Sequence, residues 1–379
     1  MIPFNFACVT GLENEFILDA IKSRDLCGNG KYTQYCQKWF EKNLPCVKSL
    51  MTPSCTHALE MAALLIDTQP GDEIIMPSYT FTSTANAFAL RGAKIVFVDI
   101  KTSTMNINEN EIESAITPNT KAIVAVHYAG VSCDMDLING IAKKHQLIVI
   151  EDAAQGICAD YKGRALGTNS HIGAISFHAT KNITSGGEGG LLIINDAQFA
   201  ERAELIREKG TNRAEFFKGL ADKYFWKDLG SNYTPSELQA AYLWGQLQQI
   251  EQITQNRINT WNNYHTAFSQ ADFSRTALPA IPKGRKHNAH IFYLKAKDNS
   301  SRSKLINHCK DHGVAAVSHY EPLHATRLGE SVGRFNGEDR HTSVESARIL
   351  RLPLWYNMQP DQINQVISSV LAAKNYLSD

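Results

Sequence analysis

Lys181 lies in the segment Ser176-Phe177-His178-Ala179-Thr180-Lys181-Asn182, between an apolar run and the glycine-rich stretch Gly186-Gly187-Glu188-Gly189-Gly190. A second apolar run, Leu147-Ile148-Val149-Ile150, ends in Glu151-Asp152-Ala153-Ala154-Gln155. An amine after one strand and a carboxylate at the end of another suit one chemistry. Pyridoxal 5'-phosphate (PLP) needs an amine to condense with its aldehyde and a carboxylate to keep its ring nitrogen protonated. A neutral lysine can then carry a proton to and from the reacting carbon. Alone, Lys181 reads as a solvated surface residue and Asp152 as a helix N-cap. Their pairing is what points to catalysis, with Gln155 one turn on as a donor to the cofactor's phenolic oxygen.

The cofactor's phosphate would need free N–H groups at a helix start. Thr52-Pro53-Ser54-Cys55-Thr56-His57-Ala58-Leu59 places small hydroxylated residues ahead of an Ala/Leu-rich stretch, which is either such a cradle or a plain capping motif. Cys55 would act through its amide. Ser176 adds a hydroxyl, or is a strand serine bonded to backbone. Pro77-Ser78-Tyr79-Thr80-Phe81-Thr82-Ser83-Thr84 carries two aromatics, for a pyridine ring to lie against or for the core.

These residues need strand ends to hold them. From about residue 50 to 195 the chain alternates short apolar runs with helical stretches: Ile74–Met76, Ile95–Val98, Ala122–Val126, Leu147–Ile150, Ala174–Phe177 and Leu191–Ile194. Near-continuous Val/Ile/Leu runs predict strands covered on both faces, as in an α/β sheet. Helices are expected at Ala58–Ile66, Ser83–Leu90, Met135–Lys144, Gln198–Lys209, Ser236–Ile250 and roughly 250–270. Beyond these, Ala289–Leu294 and Val314–His319 read as strands, and Ser303–Gly313 and Pro360–Leu377 as helices. The expected organisation is a large domain over 1–250, including the N-terminal segment, and a smaller C-terminal α+β domain over 251–379.

Lys+Arg and Asp+Glu both number 38, so no net charge recruits nucleic acid or a membrane. No apolar run has membrane-spanning length, and Met1-Ile2-Pro3-Phe4-Asn5 lacks the pattern of a secretory signal, so a cytoplasmic location is expected. The eight cysteines form no Cys-x-x-Cys pair, which argues for reduced thiols and against a metal site or a disulfide framework.

The segments Pro-Ser-Cys-Thr-His-Ala-Leu, Pro-Ser-Tyr-Thr-Phe, Val126-His127-Tyr128-Ala129-Gly130, Glu-Asp-Ala-Ala-Gln, Ser-Phe-His-Ala-Thr-Lys-Asn and Gly-Gly-Glu-Gly-Gly occur in that order. Together they resemble the nucleotide-sugar aminotransferases of the DegT/DnrJ/StrS family. The likeness continues through Leu229–Tyr233, Glu237–Ala241 and Tyr320–His324 to Leu352-Pro353-Leu354. It implies the aspartate-aminotransferase fold (fold type I): a large, mixed, mostly parallel sheet plus a smaller α+β domain. It implies that Lys181 carries PLP, Asp152 pairs with the ring nitrogen, Gln155 with the phenolic oxygen, and Phe81 stacks on the ring. Cys55, Thr56 and Ser176 would bind phosphate, joined by Asn232 from a second subunit, so that a homodimer shares its active sites. Many members carry arginine where this chain has Thr234, so the neighbouring basic contact is not carried over.

A closer likeness, at Leu26–Gly30, Arg207–Arg213 and Asn288–Tyr293, implies amino transfer from L-glutamate, which leaves as 2-oxoglutarate. The acceptor it implies is the C4 ketone of dTDP-4-keto-6-deoxyglucose, and the product dTDP-4-amino-4,6-dideoxygalactose for surface polysaccharide of the enterobacterial-common-antigen or O-antigen type. The C4-epimeric product, a 3-keto-sugar substrate and a non-catalytic regulator on the same fold are the alternatives. Arg207, Lys209 and Arg213 form a candidate patch for a diphosphate, or a solvated helix face. The loop Cys27–Tyr32 would cover the sugar nucleotide or be an ordinary turn. His319, Tyr320 and His324 would line the entrance from the small domain.

Overall fold

The computed structural model describes residues 1–379 except 214–215, 217–218, 220–221, 224, 272, 274–276 and 378–379. Its central sheet contains β1 (Lys48–Thr52), β2 (Glu73–Pro77), β3 (Lys94–Val98), β4 (Thr120–Val126) and β5 (Ile148–Asp152). After the short β6 (Asp160–Tyr161) and β7 (Arg164–Ala165) come β8 (Ile172–Ser176) and β9 (Gly190–Ile194). The spatial order is β1-β9-β8-β5-β4-β2-β3-β12, where β12 is Gly333–Phe335. Within it β9 alone runs against its neighbours, so the sheet is mixed and mostly parallel, as expected.

The continuous apolar runs are explained by cover on both faces. Ile75, Val96, Ile123, Val149, Ile175 and Ile193 face one core, while Ile74, Ile95, Val124, Ile150, Ala174 and Leu192 face the other. Successive strand residues point to opposite sides, so a sheet buried twice has no polar positions to alternate with.

A second body is built on β11 (Phe292–Lys295), antiparallel to β13 (Ile349–Leu352). The helices Asn299–Asp311 and Pro360–Ala372 pack on it, as do Trp261, Tyr264 and Phe268 of the long helix Ile250–Gln270. The chain crosses between the bodies more than once. Ile2 exchanges backbone hydrogen bonds with Gly313 and Ala315 and joins the second core. In the other direction β12 adds an edge strand to the large sheet, and β10 (Arg285–Lys286) pairs with β6.

Most expected elements are present with ends shifted by a few residues. Val314–His319 is the exception. It makes only isolated bridges, Val314 with Ile2 and Val317 with Arg351, because its two sides face different partners. The Gln198–Lys209 stretch divides into a short turn and a helix over Ala200–Arg207. No described helix is long and apolar enough to cross a membrane.

Candidate active site

The parallel strands deliver their carboxyl ends to one edge of the sheet, the edge where α/β folds bind ligands. β1 ends at Thr52, β2 at Pro77, β4 at Val126, β5 at Asp152 and β8 at Ser176. Between that edge and the second body lies a cavity of about 650 Å³. Lys181, Asp152, Gln155, Cys55, Thr56, Phe81 and Ser176 all line it, and so do His319 and Tyr320.

Lys181 is enclosed by protein, and what surface it keeps opens into the cavity. It has no ion pair among the described residues. Burial pushes its ammonium below the ordinary value of 10.5, with Asp152 pulling upward and Arg351 downward. A lowered lysine pKa is what a proton-transferring amine requires. Asp152 is nearly buried, yet its carboxylate has few protein donors: Thr84 Oγ1 at 2.7 Å on Oδ2 and the Ala154 N–H at 3.1 Å on Oδ1. Thr80 in turn bonds Thr84 at 2.8 Å, so a chain of hydroxyls fixes the acid. Gln155 is held at both ends. Its Oε1 accepts from the Ala129 N–H at 2.6 Å and its Nε2 donates to the Tyr320 hydroxyl at 3.0 Å.

Opposite them, Ser54 caps the helix Cys55–Leu65 by accepting from the His57 N–H at 3.2 Å. The amides of Cys55 and Thr56 have no hydrogen-bond partner among the described residues, and the Thr56 hydroxyl lies 2.8 Å from that of Ser83. Gly190 lets this turn approach the sheet. A Cβ there would stand 2.3 Å from the Ser54 carbonyl carbon and 2.5 Å from the Cys55 nitrogen. An enclosed amine, a carboxylate with spare acceptor capacity and a pair of free amides beside hydroxyls together fit the aldehyde, ring nitrogen and phosphate of PLP.

Phe81 is 55% exposed on the cavity wall, 6.1 Å from the Tyr320 ring. His319 stacks on Tyr320 at 3.7 Å and is hydrogen-bonded to the Tyr128 hydroxyl at 2.7 Å. Burial, then the charges of Arg351 and Lys181, hold His319 well below its ordinary pKa, so it is neutral there.

Other candidates lie elsewhere. Asn232 is exposed and outside the cavity, bridged to Glu208 and hydrogen-bonded by Thr234 at 2.9 Å. Lys209 and Arg213 are also outside it, both beside the buried Glu208 carboxylate. Arg207 is neither a solvated face nor a cavity residue; its guanidinium is buried against Gln37 and Asn29. The Cys27–Tyr32 loop leads into the helix Lys31–Asn43, whose start is capped by Glu237 accepting from the Gly30, Tyr32 and Thr33 amides. His324 is tied to Ser78 and Asp339, away from the cavity lining.

Among the cavity residues that residue-by-residue reading of the sequence did not single out are His290, Phe4 and Arg351. His290 donates to Asn182 Oδ1 at 2.9 Å and is held neutral by burial and then by the Lys181 charge. Phe4 reaches the cavity from the N-terminal segment, and Arg351 from β13. For Arg351 the signal was there: a lone cation inside the apolar run Ile349-Leu350-Arg351-Leu352.

Comparison with known proteins agrees with this chemistry. The model of the DegT/DnrJ/EryC1/StrS aminotransferase family matches residues 8–371. The spore coat polysaccharide biosynthesis protein SpsC of Bacillus subtilis is 31% identical over 97% of this chain and 96% of its own. PseC of Helicobacter pylori, an aminotransferase involved in the biosynthesis of pseudoaminic acid, is 25% identical with a TM-score of 0.88 over 98% of both chains. The fold is shared with the PLP form of the sugar aminotransferase Spr1654 from Streptococcus pneumoniae, 22% identical, with a TM-score of 0.88 over 100% of each chain.

Proposed function

Because this chain belongs to the DegT/DnrJ/EryC1/StrS family and is therefore a PLP-dependent sugar aminotransferase of fold type I, we propose the following substrates and residue roles. The amino group comes from L-glutamate, which leaves as 2-oxoglutarate. It is delivered to the C4 ketone of dTDP-4-keto-6-deoxyglucose, giving dTDP-4-amino-4,6-dideoxygalactose for a surface polysaccharide. The site is completed by Asn232 of a second subunit, and the enzyme works in the cytoplasm.

The observation that carries the catalytic reading is the pairing of Lys181 and Asp152 in one enclosed cavity. When bound, PLP supplies an electron sink for the carbon that gains or loses a proton. The chain supplies the rest. Lys181 Nζ, depressed by burial, takes the proton from the donor carbon and returns one to C4 of the sugar. Asp152, steadied by Thr84, would hold the ring nitrogen's proton. Gln155, fixed by Ala129 and Tyr320, would meet the phenolic oxygen, and the amides of Cys55 and Thr56 would hold the phosphate. The stacked His319–Tyr320 pair keeps bulk water from the reacting carbons.

The choice of nucleotide and sugar rests on the resemblance at Leu26–Gly30, Arg207–Arg213 and Asn288–Tyr293. The decisive experiment is incubation with glutamate and dTDP-4-keto-6-deoxyglucose, followed by NMR of the product. An axial amine at C4 supports the galactose configuration, an equatorial one the epimer, and an unchanged sugar overturns the assignment. Lys181→Ala should abolish both turnover and the yellow colour that glutamate bleaches.

A further inference from the structure

His290 is 6% exposed and borders the cavity, and the way it is held leaves one ring nitrogen unpartnered. Nδ1 lies 2.9 Å from Asn182 Oδ1, while Asn182 Nδ2 donates to the Asn288 carbonyl at 2.8 Å. The amide nitrogen is spent on that carbonyl, so an oxygen faces the ring and Nδ1 carries the proton. Asn288 locks the turn in the same sense. Its Oδ1 accepts from the His290 N–H at 3.0 Å, and its Nδ2 donates to the Gln155 and Ile157 carbonyls at 2.8 and 2.7 Å. Between them Ala289 sits at φ +52°, a left-handed conformation uncommon for a residue with a side chain. Arg257, itself buried, donates to the Ala289 and His290 carbonyls at 3.2 and 2.7 Å. Strained backbone persists where several independent bonds hold it, and such bonds cluster where a side chain must be aimed. What is aimed here is Nε2, which makes no hydrogen bond among the described residues and keeps surface on the cavity side. Burial, then the Lys181 charge, keeps the ring neutral, so Nε2 offers a lone pair rather than a proton.

We propose that His290 Nε2 accepts a hydrogen bond from the sugar hydroxyl on the carbon next to the reacting ketone, and so selects sugars that carry it. This rests on the transaminase reading above and names a sugar subsite within it. The ring is tied to the side chain of Asn182, the residue after Lys181, so what it meets lies close to the reacting carbon. A bare imidazole nitrogen calls for an O–H or N–H group. A diphosphate has none to give once ionised. An α-amino acid brings only its amine, and that nitrogen is the atom transferred. A sugar keeps its hydroxyls throughout, and in a 4-keto-6-deoxyhexose the hydroxyl beside C4 is the one on C3. A fixed acceptor discriminates against a sugar lacking that group, because the buried lone pair is then left unpaired.

The test is calorimetric titration of the PLP-loaded protein with two sugars that have no ketone to react, dTDP-6-deoxyglucose and its 3-deoxy counterpart dTDP-3,6-dideoxyglucose. Wild type should bind the first about 3- to 30-fold more tightly, the range expected for one hydrogen bond made or left unmade in an enclosed site. His290→Phe, which keeps a ring and loses the acceptor, should bind the two alike. A general loosening of the cavity would weaken both sugars and leave their ratio unchanged. A wild type that binds both sugars alike therefore overturns the proposal, and so does a His290→Phe protein that keeps the preference. If His290→Phe does not fold, the smaller His290→Leu takes its place under the same criteria. A wild type that binds neither sugar refutes the dTDP-sugar reading and this subsite with it.

Discussion

Glu151, one residue before the catalytic aspartate candidate, should be far more costly to alter than a neighbour outside the cavity usually is. It is fully buried, and four donors lie within 2.9 Å of its carboxylate, with the Asn169 side-chain amide at 3.5 Å. The Asn169 amide at 2.6 Å and the Ser170 hydroxyl at 2.9 Å serve Oε1; the Gly167 amide and His127 Nε2, both at 2.8 Å, serve Oε2. His127 accepts from the Cys133 amide through Nδ1, so its proton sits on Nε2 and it donates as a neutral ring. Glu151→Gln keeps the shape and one oxygen but sets an NH2 against two groups that donate. Two bonds are lost and two buried donors stranded, a cost of about 3–5 kcal/mol. An unfolding entropy of about 2.1 cal/mol/K per residue over 379 residues converts this to a Tm lower by about 4–6 °C.

The pH dependence sharpens the test. Burial raises the Glu151 pKa, but the bonds from His127, Gly167 and Ser170 outweigh it and leave the group below its ordinary 4.5. The unfolded chain therefore takes up the proton first as pH falls. The stabilisation is complete above about 4.5 and is lost as pH drops through the lower folded value. Denaturant melts of wild type and Glu151→Gln should differ fully at neutral pH and converge in acid. A Tm difference under about 1 °C, or a gap that ignores pH, refutes this account.

Four further outcomes are expected. Lys181→Met should make the cofactor-free protein more stable at neutral pH, because the amine's folded pKa lies below 10.5 and its burial is unfavourable at any lower pH; in thermal melts the advantage should fade as pH climbs toward that value. Gly190→Ala should weaken PLP binding about tenfold or more in absorbance titrations, since its Cβ would press on the Ser54–Cys55 turn. Glu237→Gln should cost about 2 kcal/mol in denaturant melts by uncapping the helix Lys31–Asn43, while cofactor affinity stays near wild type. Asn232→Ala should lose PLP without unfolding, and mixing it with Lys181→Ala should restore part of the activity if subunits share sites; a fully active monomer by mass measurement would remove the shared-site proposal.

What the sequence revealed and what it hid divide along the reach of the interactions. Asp152 and Ser176 were legible because each lies at the end of an apolar strand whose carboxyl end must lie at the ligand edge, whereas the Cys55 turn was legible only as small hydroxylated residues ahead of an Ala/Leu-rich helix, the strand Lys48–Thr52 before it being unread. The helix Lys31–Asn43 was not read, because its cap is a carboxylate two hundred positions away rather than a residue before it. β12 was missed for a related reason. Gly333-Arg334-Phe335 has no apolar alternation, and only the register with Ile95–Phe97 makes it a strand.

Arg351 combines both cases. A cation in an apolar run is visible in sequence as a conflict between pattern and charge, but the pattern cannot say whether a counter-charge, a carbonyl or a ligand resolves it. In the structure Ser318 resolves one edge, and no described carboxylate resolves the other. Buried charges without protein partners are where local rules fail for functional reasons. Arg351 lines the cavity that holds Lys181 and Asp152, so the conflict between pattern and charge lies at the candidate site itself.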